Sequence, residues 1–376
     1  MSVVFVFGAG ASYGDTLRPE SDNPAAQPTN NANPPLTTGF FSGNLYASIR
    51  YPGNQAEQDF HEVFEYIRDQ AAISDPVGEG RWMTLNLEDV FTTVELHREF
   101  LSPDSDASGR LVVIRNKLVR YIWRIIATCT QYKYGEHYRQ IASFFHEYRD
   151  GSVLSFNWDL LFDQELIEIM PTGDMRRGLY HNFEALVLGE YGLSDIVGLP
   201  GRQPLFLKMH GSLNWFQCSN SKCPGSSTAR ILTDTQDCLY RARGIHVGGE
   251  ILCNRCGSEM SPLLIPPLLR KPINENWIVR AIWGHARQRL SSADKVVIIG
   301  FSAAPTDFYA AWLFRSTVGI REGVDVFVVN PQNDPAHPEH NDFRQRMEGI
   351  FPRGYNSEFR TLSQIEEILH RVEQIG

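Results

Sequence analysis

The opening of the chain constrains its fold more than any other segment. Ser2 to Phe7 (SVVFVF) is an unbroken β-branched and aromatic run, the pattern of a strand buried on both faces. It leads directly into Gly8-Ala9-Gly10-Ala11-Ser12-Tyr13-Gly14. Comparable apolar strands recur at Ser152–Phe156, Pro204–Met209, Lys295–Ile299 and Val324–Val329. Helical patterns lie between and after them. Leu111, Ile114, Leu118, Ile122 and Ile125 keep three- and four-residue spacing, and Glu275–Leu290 and Asp307–Val318 also read as helices. The last segment, Thr361–Ile375, opens on Thr361-x-x-Gln364, a capping-box pattern, with Leu362, Ile365, Leu369 and Val372 at helical spacing. Buried strands alternating with helices predict an α/β fold: a Rossmann-like parallel sheet with helices on both faces.

Two segments interrupt that alternation. Phe60 to Asp150 is mostly helical, and Phe216 to Leu263 carries five of the six cysteines, four of them in two close pairs. The expected organisation is a Rossmann-like nucleotide-binding domain from residues 1–59, 151–215 and 264–376, a helical insertion at 60–150, and a small zinc-ribbon-like cysteine module at 216–263. A Pro/Asn/Thr-rich stretch from Arg18 to Gly39 reads as a long loop able to fold over a bound nucleotide. A length of 376 residues accommodates this as two domains or one large domain with an insertion. The formal charge of −9 argues against a surface built to hold nucleic acid. No apolar run approaches the ~20 residues of a membrane span, and no basic leader precedes the first strand. The expectation is a cytoplasmic protein without membrane association.

A strand entering Gly8-x-Gly10-x-Ser12-x-Gly14 puts backbone N–H groups near a helix N-terminus, an arrangement suited to a pyrophosphate. A tight strand-to-helix turn explains the same glycines without a ligand. The acidic ribose-binding residue that a nicotinamide dehydrogenase carries on a second strand about 20 residues later is missing, which disfavours hydride transfer.

Other strand ends are polar. Ser152–Phe156 ends in Asn157-Trp158-Asp159, Pro204–Met209 in His210-Gly211-Ser212, Lys295–Ile299 in Gly300-Phe301-Ser302, and Val324–Val329 in Asn330-Pro331. Residues beyond the carboxyl ends of parallel strands line the ligand crevice. Each also has a plainer explanation: Asn157, Asp159 or Ser302 as a helix cap, and His210 as a satisfied strand-end histidine.

Cys218-x4-Cys223 and Cys253-x2-Cys256 have the spacing of two cysteine hairpins that together form a tetrahedral thiolate site for structural zinc; four reduced thiols without metal are the alternative. Cys129 reads as a core residue, and Cys238 lies within the module but lacks a paired spacing.

From Gly8 to about Asn330 the order of these motifs resembles the sirtuins: Gly-Ala-Gly-x-Ser, Asn-x-Asp after a second strand, His-Gly after a third, a cysteine ribbon, then Gly-x-Ser and a strand-ending Asn. The chain departs from sirtuin deacylases after the glycine turn. Their Gly-Ile-Pro-Asp-Phe-Arg segment is replaced by a longer loop with Pro34-Pro35-Leu36 and Phe40, lacking the matching Asp and Arg. Ser155-Phe156-Asn157-Trp158-Asp159 stands where they have Thr-Gln-Asn-Ile-Asp, and the insertion carries Asn86-Leu87-Glu88-Asp89-Val90. These features resemble the sirtuin-like proteins of bacterial anti-phage defence.

That resemblance implies hydrolysis of NAD+ to nicotinamide and ADP-ribose, NAD being the substrate and zinc structural. It also implies a homo-oligomer and a HerA-type ATPase as partner. His210 is then the expected general base, with an ordinary pKa near ~6.5. Asn157 orients the water or the nicotinamide end, and Asp159 supports it. Gly8, Ala9, Gly10 and Ser12 hold the pyrophosphate, and Gly300, Ser302 and Asn330 lie against the rest of the dinucleotide. The competing expectations are an NAD-dependent protein deacylase or ADP-ribosyltransferase, and a non-catalytic module that binds NAD or ADP-ribose.

Overall fold

A computed structural model describes residues 2–15, 17–19, 33–49, 56–103, 105–131, 133–147, 151–169, 205–220, 222–227, 229–232, 238–239, 251–266, 268, 271, 273 and 276–374. Most of the Pro/Asn-rich loop and parts of the cysteine segment lie outside these residues.

The chain begins with β1 (Val3–Phe7), a short helix α1 (Ala9–Gly14) and β2 (Leu17–Pro19). Four helices follow: α2 (Gly43–Ser48), α3 (Ala56–Ala71), α4 (Leu87–Glu99) and α5 (Asp106–Thr130). Then come β3 (Lys133–Gly135), α6 (Glu136–Glu147), β4 (Gly151–Ser155), α7 (Leu161–Ile169) and β5 (Leu205–Lys208). The cysteine region contributes β6 (Gly211–Cys218), β7 (Arg230–Ile231) and β8 (Met260–Leu264). The chain closes with α8 (Trp277–Ser292), β9 (Lys295–Ile299), α9 (Phe308–Phe314), β10 (Asp325–Val329), α10 (His340–Ile350) and α11 (Ile365–Gln374).

Five strands form a parallel sheet in the order β10-β9-β1-β4-β5. The unbroken apolar runs follow from this position. Val4, Val6, Leu154, Val296, Ile298 and Val328 face one layer, built on α8, α9 and α10. Phe5, Phe7, Val153, Val297, Ile299 and Val329 face the other, built on α6, α7 and α11. Alternate residues thus enter different cores, so neither face requires polar residues. Each buried Val, Ile or Phe contributes roughly 1.5–3 kcal/mol relative to exposure.

The chain passes from β1 to β4 and β5 on one side, then returns to β9 and β10 on the other. The topological switch therefore lies between β1 and β9, where such sheets open their ligand crevice.

A separate core joins α2–α5, with Phe41, Phe64, Trp82, Phe91, Leu118 and Tyr121 among its buried residues. All five periodic residues of α5, Leu111 through Ile125, are buried. Two caps set helix starts: Asn86 Oδ1 accepts from the Glu88 N–H at 2.8 Å, and Ser105 Oγ from the Ser108 N–H at 3.2 Å. By packing, α6 belongs to the sheet, although its sequence fell inside the expected helical insertion: Tyr138, Ile141 and Phe145 join Phe5 and Phe7. An amphipathic pattern identifies the apolar face of a helix, not which of two cores it covers. At the other end, Gln364 Oε1 reaches back to the Thr361 N–H at 3.4 Å and to the Arg360 N–H at 2.8 Å, anchoring the start of α11.

The cysteine region is an antiparallel sheet ordered β7-β6-β8. Its first strand starts at Gly211, directly after His210, so the module is continuous with the candidate site. Among the described residues, no helix is long and apolar enough to cross a membrane.

Candidate functional site

The polar ends of β1 and β4 meet in one buried network. Ser12 Oγ donates to Asp159 Oδ2 at 2.7 Å and lies 2.9 Å from the Tyr138 hydroxyl. Asn157 Nδ2 donates to Ser12 Oγ at 2.9 Å and to Tyr138 Oη at 3.3 Å. Asp159 Oδ1 accepts from the Leu161 N–H at 3.1 Å, capping the start of α7. Asp159 therefore does both jobs its position suggests, helix cap and network member. Burial pushes its carboxyl above the usual range, while Lys208, Ser12 and the Leu161 N–H pull it back. Lys208 is itself buried, 3.2 Å from Asp163 and bonded to the Asp159 carbonyl. Among the described residues, the buried Asn157 Oδ1 has no hydrogen-bond partner.

His210 occupies the corresponding position on the neighbouring strand. β4 and β5 pair Ser155 with Lys208, so Asn157 and His210 each lie two residues beyond the same register point. Their side chains have different surroundings. Asn157 is tied to the glycine turn, whereas the His210 ring packs edge-on to Phe156 at 5.1 Å and stacks on Trp283 at 6.2 Å. The ring hydrogen-bonds the Phe156 backbone, and the buried Nε2 has no partner among the described residues. The following Gly211 has φ +78°, and a Cβ there would lie 2.0 Å from the Leu263 carbonyl oxygen, so His-Gly is dictated locally by the approach of β8.

The expectation of an ordinary near-neutral base is corrected by this environment. Burial, reinforced by the Lys271 ammonium, lowers the His210 pKa to about 3; Asp307 and the Phe156 bond oppose the shift. The ring is neutral at pH 7 and offers Nε2 as an acceptor. Lys271 is buried and pairs with Asp307 Oδ1 at 2.9 Å. Glu88, from the first turn of α4, faces Thr306, Asp307 and Lys271, and its carboxyl is raised mainly by burial. The helical unit thus contributes a carboxyl beside the Lys271–Asp307 pair.

The glycines are packed against one another. A Cβ on Gly8 would meet the Gly300 carbonyl oxygen at 2.6 Å, and one on Gly10 would meet Gly300 Cα at 2.9 Å. Gly300 itself has φ +64°, and its Cβ would lie 2.0 Å from the Ala11 nitrogen. The Gly8 N–H donates to Ile299 and the Gly10 N–H to Gly300, at 2.9 and 3.0 Å. The glycine pattern is therefore accounted for by close approach of two backbone turns at the switch between β1 and β9. Ala9 is exposed at the start of α1. Asn330 is buried and internally bonded: Nδ2 donates to the Phe301 carbonyl at 3.1 Å, and Oδ1 accepts from the Gln332 N–H at 3.0 Å. Ser302 is exposed on the loop between them. Ser12, Asn157 and Asp159 are brought into direct contact; Gly300, Ser302 and Asn330 lie at the same sheet end beyond β9 and β10.

Tyr138, Lys271, Asp307 and Glu88 were not identified as site residues from sequence. Their types are common on helix faces and loops, and no spacing relates them to the strand ends.

The four expected thiols, Cys218, Cys223, Cys253 and Cys256, come together with all Sγ atoms within 4.8 Å of one another. Cys218–Cys256 and Cys223–Cys253 are 3.5 and 3.9 Å apart. Tetrahedral zinc with bonds near 2.3 Å requires sulfur separations of about 3.8 Å, so the set fits the ion. The Gly225 N–H donates to Cys223 Sγ at 3.3 Å, and a Cβ on Gly225 would lie 3.1 Å from Cys253 Sγ. Hydrogen bonds from Ser258 lower the Cys256 thiol to about 6, favouring the thiolate that binds metal. Cys238 is buried in the same small core but is not one of the four, its thiol donating to the Leu213 carbonyl at 3.0 Å, and Cys129 is buried in the helical core.

No protein-family model and no curated protein matches the sequence. Solved structures similar to the chain include a Sir2 homolog in complex with NAD, 12% identical, with a TM-score of 0.42 over 99% of this chain and 88% of that one. A structure on the mechanism and regulation of Sir2 enzymes is 12% identical, with a TM-score of 0.39 over 99% and 93%. A Sir2 protein bound to a propionylated peptide is 10% identical, with a TM-score of 0.39 over 99% and 93%.

Proposed function

We propose that the protein hydrolyses NAD+ to nicotinamide and ADP-ribose at the carboxyl ends of β1, β4 and β5. The observation that carries this reading is a pair of buried polar atoms, Asn157 Oδ1 and His210 Nε2, at equivalent positions beyond adjacent parallel strands, neither of which has a hydrogen-bond partner among the described residues. An unsatisfied buried acceptor costs about 1–3 kcal/mol, a cost a ligand hydrogen bond relieves.

The chemistry suits two neutral acceptors. Nicotinamide leaves from a cationic nitrogen, so its departure needs no strong acid. The ribose cation left behind is reactive enough that water needs orientation more than deprotonation. Asn157 Oδ1 and His210 Nε2 would accept hydrogen bonds from the attacking water or a ribose hydroxyl. The water oxygen forms the new bond to the anomeric carbon, the glycosidic pair leaves with nicotinamide, and the water's second proton passes to solvent. A histidine with its pKa near 3 fits this positioning role better than that of a strong base. Ser12 and Asp159 hold Asn157, and the exposed turn at Ala9 and Ser302 would face the dinucleotide.

The missing Asp and Arg of the deacylase loop support hydrolysis over acyl transfer. The likeness of the motif set to the defence branch of sirtuins supports NAD depletion during anti-phage defence, in a homo-oligomer with a HerA-type ATPase. Nicotinamide and ADP-ribose production by purified protein, alone and with that ATPase, tests the activity. Conversion without any acylated peptide is expected, and an absolute requirement for such a peptide would contradict it.

A further inference from the structure

We propose that Tyr138, on α6, is a positioning residue that fixes the orientation of the Asn157 carboxamide so that its oxygen faces the ligand; this rests on the reading of Asn157 given above. A proton count carries the inference. Both Asp159 oxygens accept, one from Ser12 Oγ–H at 2.7 Å and one from the Leu161 N–H at 3.1 Å. The Ser12 proton is thereby committed, so at 2.9 Å the Tyr138 hydroxyl must be the donor to Ser12 Oγ. Ser12 and Tyr138 then each present lone pairs to Asn157, and the two Nδ2 protons go to them at 2.9 and 3.3 Å.

A flipped amide would set its oxygen against two oxygens with only one uncommitted proton between them. That arrangement is disfavoured, and the buried Oδ1 is left for the ligand. Burial beside Asp159 keeps the phenol protonated, as the count requires.

The placement of Tyr138 is itself built in. Asp15, immediately after α1, accepts from the His137 and Tyr138 N–H groups at 3.0 and 3.2 Å and from His137 Nδ1 at 2.7 Å. The glycine-turn segment therefore grips α6 at its first turn and Tyr138 at its hydroxyl. The ring packs on Phe7 and Phe162 with centroids 5.0 and 5.6 Å away. Tyr138→Phe keeps those ring contacts and removes one hydroxyl.

The test compares wild type and Tyr138→Phe by NMR of the Asn157 side-chain amide, with Asn157→Asp to assign the signals, and by NAD turnover. Two slowly exchanging amide protons are expected in wild type; in Tyr138→Phe one loses protection, and kcat falls about ten- to a hundredfold with little change in KM. Unchanged amide exchange in the variant would overturn the proposal, as would a fall in activity explained wholly by a lower melting temperature. Wild-type protein inert towards NAD would refute the functional reading, while the amide signals would still decide the role of Tyr138.

Discussion

Asn157 Nδ2 lies 2.9 Å from Ser12 Oγ, a bond that joins the end of β4 to the turn after β1 across 145 positions of sequence. It couples the glycine turn to the residue that presents the unpartnered acceptor. Ser12→Ala removes one acceptor from Asn157 and the donor to Asp159. A loss of about 1–3 kcal/mol in denaturant-unfolding stability is expected, together with lower NAD turnover. Retention of both would separate the turn from the site.

Gly300 approaches the glycine turn after β1 closely. A side chain there must adopt φ +64° with its Cβ 2.0 Å from the Ala11 nitrogen. Strain and overpacking add, so Gly300→Ala is expected to cost about 2–5 kcal/mol. Gly323 has a similar φ of +73° with nothing within 4 Å, so Gly323→Ala should cost only about 1–2 kcal/mol. Equal losses in urea unfolding would show that backbone conformation alone, not the contact between turns, sets the cost.

The four-thiolate set is expected to hold about one zinc per chain. Cys253→Ser should lose the metal and lower the melting temperature. In chelated wild-type protein, added zinc at a hundred times its Kd should restore about 2.7 kcal/mol. Metal content indistinguishable between wild type and Cys253→Ser would refute the site.

Two histidines give opposite pH dependences. His137 is raised first by its hydrogen bond to Asp15, with burial opposing. Its stabilising contribution is fully present below the unfolded pKa of about 6.5 and is lost as pH rises through the folded value. His210 is lowered to about 3, so the unfolded chain binds a proton that the folded chain refuses, and stability falls on acidification below about 6.5. In unfolding curves from pH 4 to 9, His137→Gln should flatten the loss on the alkaline side, and His210→Phe the loss on the acid side. The reverse assignment would contradict both environments.

The strands were legible because β1, β4, β9 and β10 are covered on both faces and therefore read as unbroken apolar runs. The paired cysteines were legible because short metal-binding hairpins have a fixed local spacing. The placement of Gly10, Asn157 and His210 at one end of the sheet was legible from their positions after strands; the direct bonds of Ser12 to Asn157 and Asp159 were not. Nor was the packing of α6 on the sheet, because its apolar stripe suits either core. Tyr138 carries no sequence signal that ties it to the strand ends, and its hydroxyl acquires significance only once Asp159 fixes the proton direction. The neutral state of His210 depends on burial and on Lys271 and Asp307, which come from distant segments with no shared pattern.

The most direct test is the fate of NAD+ with purified wild-type protein and Asn157→Ala, each checked for folding by its melting curve. Equal amounts of nicotinamide and ADP-ribose from wild type without acylated peptide, and a loss of at least about a hundredfold in the folded variant, are the predicted results. Wild-type turnover by folded Asn157→Ala would contradict the account.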